Sequence, residues 1–246
     1  MPGGTPIGTA SAPTRPSLEH QPPAGTADRP PRVLFYSHDG TGLGHQRIVL
    51  PIATELARRR PDASLLALTG ALPADGDRLP PNLDLVKLPA VPKRRLYEGL
   101  PAATAPDQTP FKNVMFLREA IARATVEAFE PDLVVVDHAP AGLFGELAAA
   151  LDKLHATRPR LAVVFLMRDV TFGPEQTRTL WQGEGAFDLL DRVYDRILVY
   201  GERDVFDPVA AYGLSPAAAA KTAFCGYLPP PPPTRPAAAV RAALGA

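Results

Sequence analysis

Cysteine is almost missing from this 246-residue chain, where Cys225 stands alone. One thiol forms no internal disulfide and supplies no thiolate set for a zinc ion. A chain so independent of oxidation is expected in the cytoplasm. No apolar run reaches the roughly 18 residues that a membrane-spanning helix needs. The N-terminus also lacks the basic start and apolar stretch of a secretory signal. Net charge is absent too, since 26 basic and 26 acidic residues cancel. That balance gives no electrostatic footprint of a nucleic-acid binder and argues against a polybasic membrane surface. The five histidines are scattered, so no metal-ligating cluster is expected. The sequence holds neither a Gly-x-Ser-x-Gly elbow nor a phosphate loop with its Lys-Ser/Thr pair. Apolar side chains, at 46%, are plentiful enough for a buried core.

Residues 1–31 are rich in Pro, Gly, Ala and Thr and read as a disordered tail, because they offer little apolar surface to offset ordering entropy. Short apolar runs of strand length begin at Val33-Leu34-Phe35-Tyr36. They recur at 65–68, 83–88, 133–136, 161–166, 197–200 and 222–225. Helical patterns lie between most of them: Ile52 and Leu56 before Arg58-Arg59-Arg60, residues 111–129, residues 143–155, and Phe187, Leu190 and Tyr194. Alternation of this kind predicts one Rossmann-like α/β domain over 32–228, with a mostly parallel sheet and helices on both faces. The proline-rich stretch 89–110 reads as a long surface loop. Residues 229–246 open on five prolines, a stiff linker leading to an Ala-rich stretch too short for a second domain.

The chemistry concentrates in His38-Asp39-Gly40-Thr41-Gly42-Leu43-Gly44-His45, between the first strand and the first helix. Three glycines at alternate positions let the backbone approach a ligand closely. Free N–H groups at a helix start favour an anion or a polar oxygen. A turn that merely packs is the structural alternative. Pro51 predicts that the regular helix either begins near Leu50 or is kinked. Ligands of open parallel sheets bind beyond the C-terminal ends of strands. Those ends carry Ser37, His38 and Asp39, Thr69 and Gly70, Asp137 and His138, Arg168 and Asp169, and Tyr200 and Gly201, which are expected to converge on one rim. Asp137 and His138 are sequence neighbours that point to opposite sides. Arg168 suits a phosphate or carboxylate, or a structural pair with Asp169. Glu146 reads as a solvated helix residue.

These residues resemble a known family. The first strand running into Gly44-His45 is similar to the N-terminal domain of GT-B glycosyltransferases, in particular the MurG-like enzymes and a related group of "predicted glycosyl transferases". Tyr36-Ser37-His38-Asp39-Gly40, Leu166-Met167-Arg168-Asp169-Val170, Val199-Tyr200-Gly201, Val205-Phe206-Asp207-Pro208 and Gly213 carry the likeness to the second group. The resemblance implies transfer of a hexosyl unit from a nucleotide-sugar co-substrate to an acceptor hydroxyl, with no other cofactor. It also implies a C-terminal donor domain that this sequence does not contain, and inversion at the anomeric carbon. His45 would be the catalytic base. His38, Asp39, Gly40, Thr41, Gly42, Gly44, Asp137, His138, Arg168 and Asp169 would bind acceptor or phosphate. The expected partners are a sugar acceptor and a separate donor domain. Two other readings stay open: a non-catalytic orphan half that binds a ligand or partner, and an epimerase-like or regulatory nucleotide binder on the same scaffold.

Overall fold

Arg32, where the apolar content of the chain begins, opens strand β1 (Arg32–Ser37) in the computed structural model, which describes residues 29–38, 44, 46–71, 79–91, 111–228 and 241. The elements that follow are α1 (Gln46–Arg59), β2 (Ser64–Thr69), β3 (Leu83–Lys87), α2 (Phe111–Phe129), β4 (Leu133–Asp137) and α3 (Ala148–Thr157). The second half contains β5 (Ala162–Arg168), α4 (Pro174–Gly183), α5 (Ala186–Arg192), β6 (Arg196–Tyr200), α6 (Pro208–Tyr212), α7 (Pro216–Ala220) and β7 (Thr222–Phe224). Every apolar run singled out in the sequence is a strand. The seven strands form one sheet in the order β3-β2-β1-β4-β5-β6-β7, and each neighbouring pair is parallel. The chain winds outward from β1 to β3, then crosses back through α2 to lay β4 against the other side of β1. The reversal leaves a crevice between β1 and β4 at the C-terminal edge of the sheet.

Successive strand residues face opposite sides, and the core divides accordingly. Leu34, Tyr36, Val134, Val136, Phe165, Met167, Ile197 and Val199 pack with residues of α2 to α7. Val33, Phe35, Leu65, Ala67, Val135 and Leu166 pack on the opposite face with Val49, Ala53 and Ala57 of α1. Helix α1 runs through Pro51 without interruption, so a start near Leu50 is corrected. Proline has no N–H, which leaves the Arg47 carbonyl without its usual helical donor. The helix expected over 143–155 is also split. A 3-10 turn spans Leu143–Gly145, with Phe144 in the left-handed region at φ 51°, and α3 begins only at Ala148. The Lys221 ammonium closes the C-terminal end of α5 by donating to the carbonyls of Leu190, Asp191 and Tyr194 at 3.1, 2.6 and 2.7 Å, where helix carbonyls lack partners of their own.

A buried ion pair holds the two halves of the sheet edge together. Arg118 of α2 donates to Glu146 through Nε at 2.7 Å and Nη2 at 2.6 Å, and both side chains are excluded from solvent. The solvated Glu146 expected from sequence is thus corrected, because the split helix turns its carboxylate inward. Tyr36 of β1 donates its hydroxyl to Glu146 Oε1 at 2.5 Å and accepts from the Leu143 N–H at 2.9 Å. Arg118 Nη1 also donates to the Pro89 carbonyl just beyond β3, at 2.6 Å. Burial, reinforced by the Glu146 charge, holds the Tyr36 phenol well above its ordinary pKa, so it remains a donor.

Two consequences can be measured. Glu146→Leu strands a buried guanidinium and is expected to cost about 3–5 kcal/mol in urea unfolding. The double variant Arg118→Met/Glu146→Leu is expected to recover most of that loss, and a double variant no more stable than the single would contradict this account. The second consequence concerns Glu184, at the end of α4, whose carboxyl burial raises from 4.5 to about 7. Between these values the folded chain holds a proton that the unfolded chain has released. Stability therefore falls as pH rises through that window. Glu184→Gln should flatten the slope and raise stability at pH 8 while leaving it unchanged at pH 4, as read by denaturant titration.

Candidate functional site

The last residue of five strands falls on the same face of the sheet. Ser37, Thr69, Asp137 and Arg168 lie two positions beyond Phe35, Ala67, Val135 and Leu166, so their side chains share the α1 face with those apolar residues. Tyr200 belongs to the same apolar cluster and is paired in register with Arg168. A row of polar groups thus crosses β2, β1, β4, β5 and β6 at the C-terminal edge. Ser37 donates to Thr69 Oγ1 at 2.9 Å, and Thr69 Oγ1 also accepts from the Ala71 N–H at 3.2 Å. Tyr200 donates to Asp137 Oδ1 at 3.2 Å. Ser37, Thr69 and Asp137 are buried, whereas Arg168 is half-buried. Burial and the adjacent Asp137 carboxylate push the Tyr200 phenol far above its ordinary pKa, and the nearby Arg168 guanidinium works against them.

Beyond the strands the two described histidines of the crevice meet. The rings of His38 and His138 stack at 5.3 Å between centroids with planes 22° apart, and Phe172 sets its edge against His138 at 6.4 Å. His138 leaves β4 in the left-handed region at φ 67°, while its N–H donates to the Leu166 carbonyl at 3.0 Å. The left-handed backbone turns its ring away from Asp137 and toward the tip of β1. The pairing of Arg168 with Asp169 is overturned. Asp169 instead accepts from the Val170 N–H at 2.7 Å and from the Tyr227 hydroxyl at 2.8 Å. Gly201 lets β6 come this close, since a Cβ there would lie 2.6 Å from Asp169 Cβ.

His45, Asp39, Gly40, Thr41 and Gly42 lie outside the described residues. Gly44 is described and exposed, and a side chain at that position would meet nothing within 4 Å. The structure therefore brings His38, Asp137, His138 and Arg168 together around one crevice, while Asp169 serves as the anchor of the neighbouring loop. Sequence reasoning placed Ser37, Thr69 and Tyr200 at the strand ends of this rim without giving them individual roles, and it did not single out Phe172. The period of two that makes a strand face apolar also puts the first three on one face with Asp137 and Arg168. Phe172 gave no such signal.

Among the described residues no group of three His, Cys, Asp or Glu is placed to hold a metal ion, and no helix is long and apolar enough to cross a membrane. A cavity of about 210 Å³ lies between α2 and α3, lined by Glu127, Glu130, Lys153 and Arg158 among others. Its charges are paired, Lys153 with Glu127 at 2.7 Å and Arg158 with Glu130 at 2.8 Å. It lies away from the crevice.

The same fold occurs in solved glycosyltransferases of the GT-B type. The Anabaena protein HepE, solved with UDP-glucose, matches over 87% of this chain and 50% of its own, with 15% identity and a TM-score of 0.50. A UGT transferase from Siraitia grosvenorii, solved with UDP, matches over 86% of this chain and 54% of its own, at 14% identity and a TM-score of 0.46. MurG of Acinetobacter baumannii matches over 84% and 48%, at 11% identity and 0.42. The chain spans about half the length of these proteins. No family model and no curated protein matches it in sequence. The chain thus has a GT-B-type Rossmann-like domain, a single seven-stranded parallel sheet flanked by helices.

The left-handed backbone at His138 makes a prediction. Asparagine tolerates that region and a β-branched residue does not. His138→Val should therefore cost about 1–2 kcal/mol of stability, and His138→Asn clearly less. Equal losses in thermal unfolding would show that the turn carries no strain.

Proposed function

We propose that this chain is the acceptor-side half of a nucleotide-sugar glycosyltransferase, of the MurG-like kind, acting at the crevice between β1 and β4. The observation that carries the reading is the polar row of Ser37, Thr69, Asp137, Arg168 and Tyr200, with two stacked imidazoles beside it, at the switch point of a parallel sheet. Its fold is shared with a protein solved with UDP-glucose. Under this reading an imidazole, that of His45, takes the proton of an acceptor hydroxyl. The freed oxygen bonds to the anomeric carbon as the bond from that carbon to the diphosphate breaks, and the nucleoside diphosphate leaves with the electron pair. His38, His138 and Asp137 line the acceptor side, together with the glycines of the 40–44 loop. A donor-side half, on further sequence or a separate chain, completes the site, and residues 229–246 form the linker toward it.

A second reading, a binding half without catalysis, is favoured by the apolar groups at the same edge. Val170, Val205 and Tyr227 are 49%, 69% and 55% exposed, as expected of a surface that meets a partner. Turnover separates the two. The chain, combined with its donor-side half, is incubated with UDP- and GDP-sugars and candidate acceptors, and release of nucleotide is followed. His45→Ala should lower release by about 10²- to 10⁴-fold with acceptor affinity retained. Release unaffected by His45→Ala would remove this base. Acceptor or partner binding with no release at all would leave the binding half.

A further inference from the structure

Among the described residues Arg168 stands apart from the other half-buried cations. Arg29 and Arg158 have carboxylate partners, Asp132 and Glu130, at 2.7 and 2.8 Å, and Lys221 is held by three backbone carbonyls. Among the described residues Arg168 has no ion pair. The one acidic neighbour in sequence, Asp169, is engaged by Tyr227 and by its own loop. A guanidinium withdrawn from water in this way calls for an anion. Its position is defined by the sheet. It ends β5 on the α1 face, beside Tyr200 in register, at the mouth of the crevice.

Tyr200 decides how the two charges of the row share that space. Its hydroxyl donates its single proton to Asp137, so the phenol stands between the buried carboxylate of β4 and the guanidinium of β5. Asp137 is thereby tied down on the sheet side, the Tyr200 oxygen also meets the Arg168 guanidinium, and the remaining donors of Arg168 are left for a ligand, in the planar geometry that suits two oxygens of one anionic group. A second polar group in the same connection points the same way. The Thr171 hydroxyl, three residues after Arg168, is buried with no hydrogen-bond partner, although the Thr171 N–H is held by the Tyr212 hydroxyl at 2.8 Å.

We propose that Arg168 binds a phosphate or carboxylate group of the substrate, and that Tyr200 is its positioning residue. The substrate class follows. If the chain is the acceptor half, the acceptor carries an anionic group, such as a sugar phosphate or a uronic acid, next to the hydroxyl that reacts. The naming of the anion as part of the acceptor rests on the glycosyltransferase reading, whereas the anion site itself does not.

The test is direct binding to the full chain at pH 7 and low ionic strength, followed by chemical-shift titration. The probes are inorganic phosphate, glucose 1-phosphate, glucuronate and UDP. Saturable binding of at least one is expected, and Arg168→Met should weaken it about tenfold or more. Tyr200→Phe keeps the ring in the core and is expected to weaken the same probe about threefold. Arg196→Met, at the opposite end of β6, should leave it unchanged. If Arg168→Met does not fold, Arg168→Lys replaces it, with weaker binding expected from loss of the two-oxygen geometry. No saturation of any probe by the wild type up to about 100 mM, or equal binding by the wild type and the Arg168 variant, would overturn the proposal. Preference for glucose 1-phosphate or glucuronate assigns the site to the acceptor, and preference for UDP assigns it to the donor. Anion binding without any sugar transfer would retain this site and discard the glycosyltransferase reading.

Discussion

The edge of the sheet depends on a charge pair placed where water cannot reach. Arg118 and Glu146 come from different helical segments, and each would be costly to bury alone. Together, with Tyr36 as a third member, they connect β1, α2, the exit of β3 and the turn ahead of α3. Apolar residues of equal volume could fill that space, but they would not fix which carbonyl meets which donor. The Leu143 N–H, the Pro89 carbonyl and the left-handed Phe144 are all placed by the same few hydrogen bonds. The walls of the crevice are therefore set from behind, by a polar network on the face opposite to the one that carries the polar row.

The two faces of the sheet divide the work. On the side of α2 to α7 the strands are apolar as far as Val136, Met167 and Val199, and the layer is deep. On the α1 side the apolar residues stop one position earlier at the edge, and Ser37, Thr69, Asp137 and Arg168 take over. Polar groups in such positions must satisfy one another or a ligand. Ser37 with Thr69 and Asp137 with Tyr200 do the former. Arg168 meets the Tyr200 oxygen and, among the described residues, has no carboxylate partner.

Much of the architecture was legible in the sequence, because parallel strands buried on both faces read as short apolar runs. All seven are strands, and the alternation with helices set the layer order. The helices were harder. The leucines of 143–155 fit one amphipathic face, yet the left-handed Phe144 breaks the segment, and nothing about phenylalanine announces that conformation. Arg118 could have been noticed. It lies on the stripe that also carries Met115, Ala122 and Val126, a charge on an apolar face. Its partner Glu146 is distant in sequence and could not be paired without the fold. In the candidate site, the identity of the strand-end residues was legible, but the left-handed turn that brings His138 to His38 was not. The Arg168–Asp169 adjacency suggested a pair, whereas Asp169 accepts from the Tyr227 hydroxyl and the Val170 N–H.

The way the chain leaves β7 has a mechanical consequence. Cys225 and Gly226 donate their N–H groups to the carbonyls of Val199 and Gly201, and Tyr227 reaches Asp169. The first two continue the parallel pairing of β7 with β6 past its end, and the Tyr227 side chain crosses to the loop after β5. Leu228 thus leaves the sheet at its C-terminal edge, the edge that carries the polar row. Any body joined beyond that point starts its excursion from beside the polar row, at a high local concentration relative to it. Gly226, at φ 75°, supplies the left-handed turn from which such an excursion would start, and the Tyr227–Asp169 hydrogen bond restrains it.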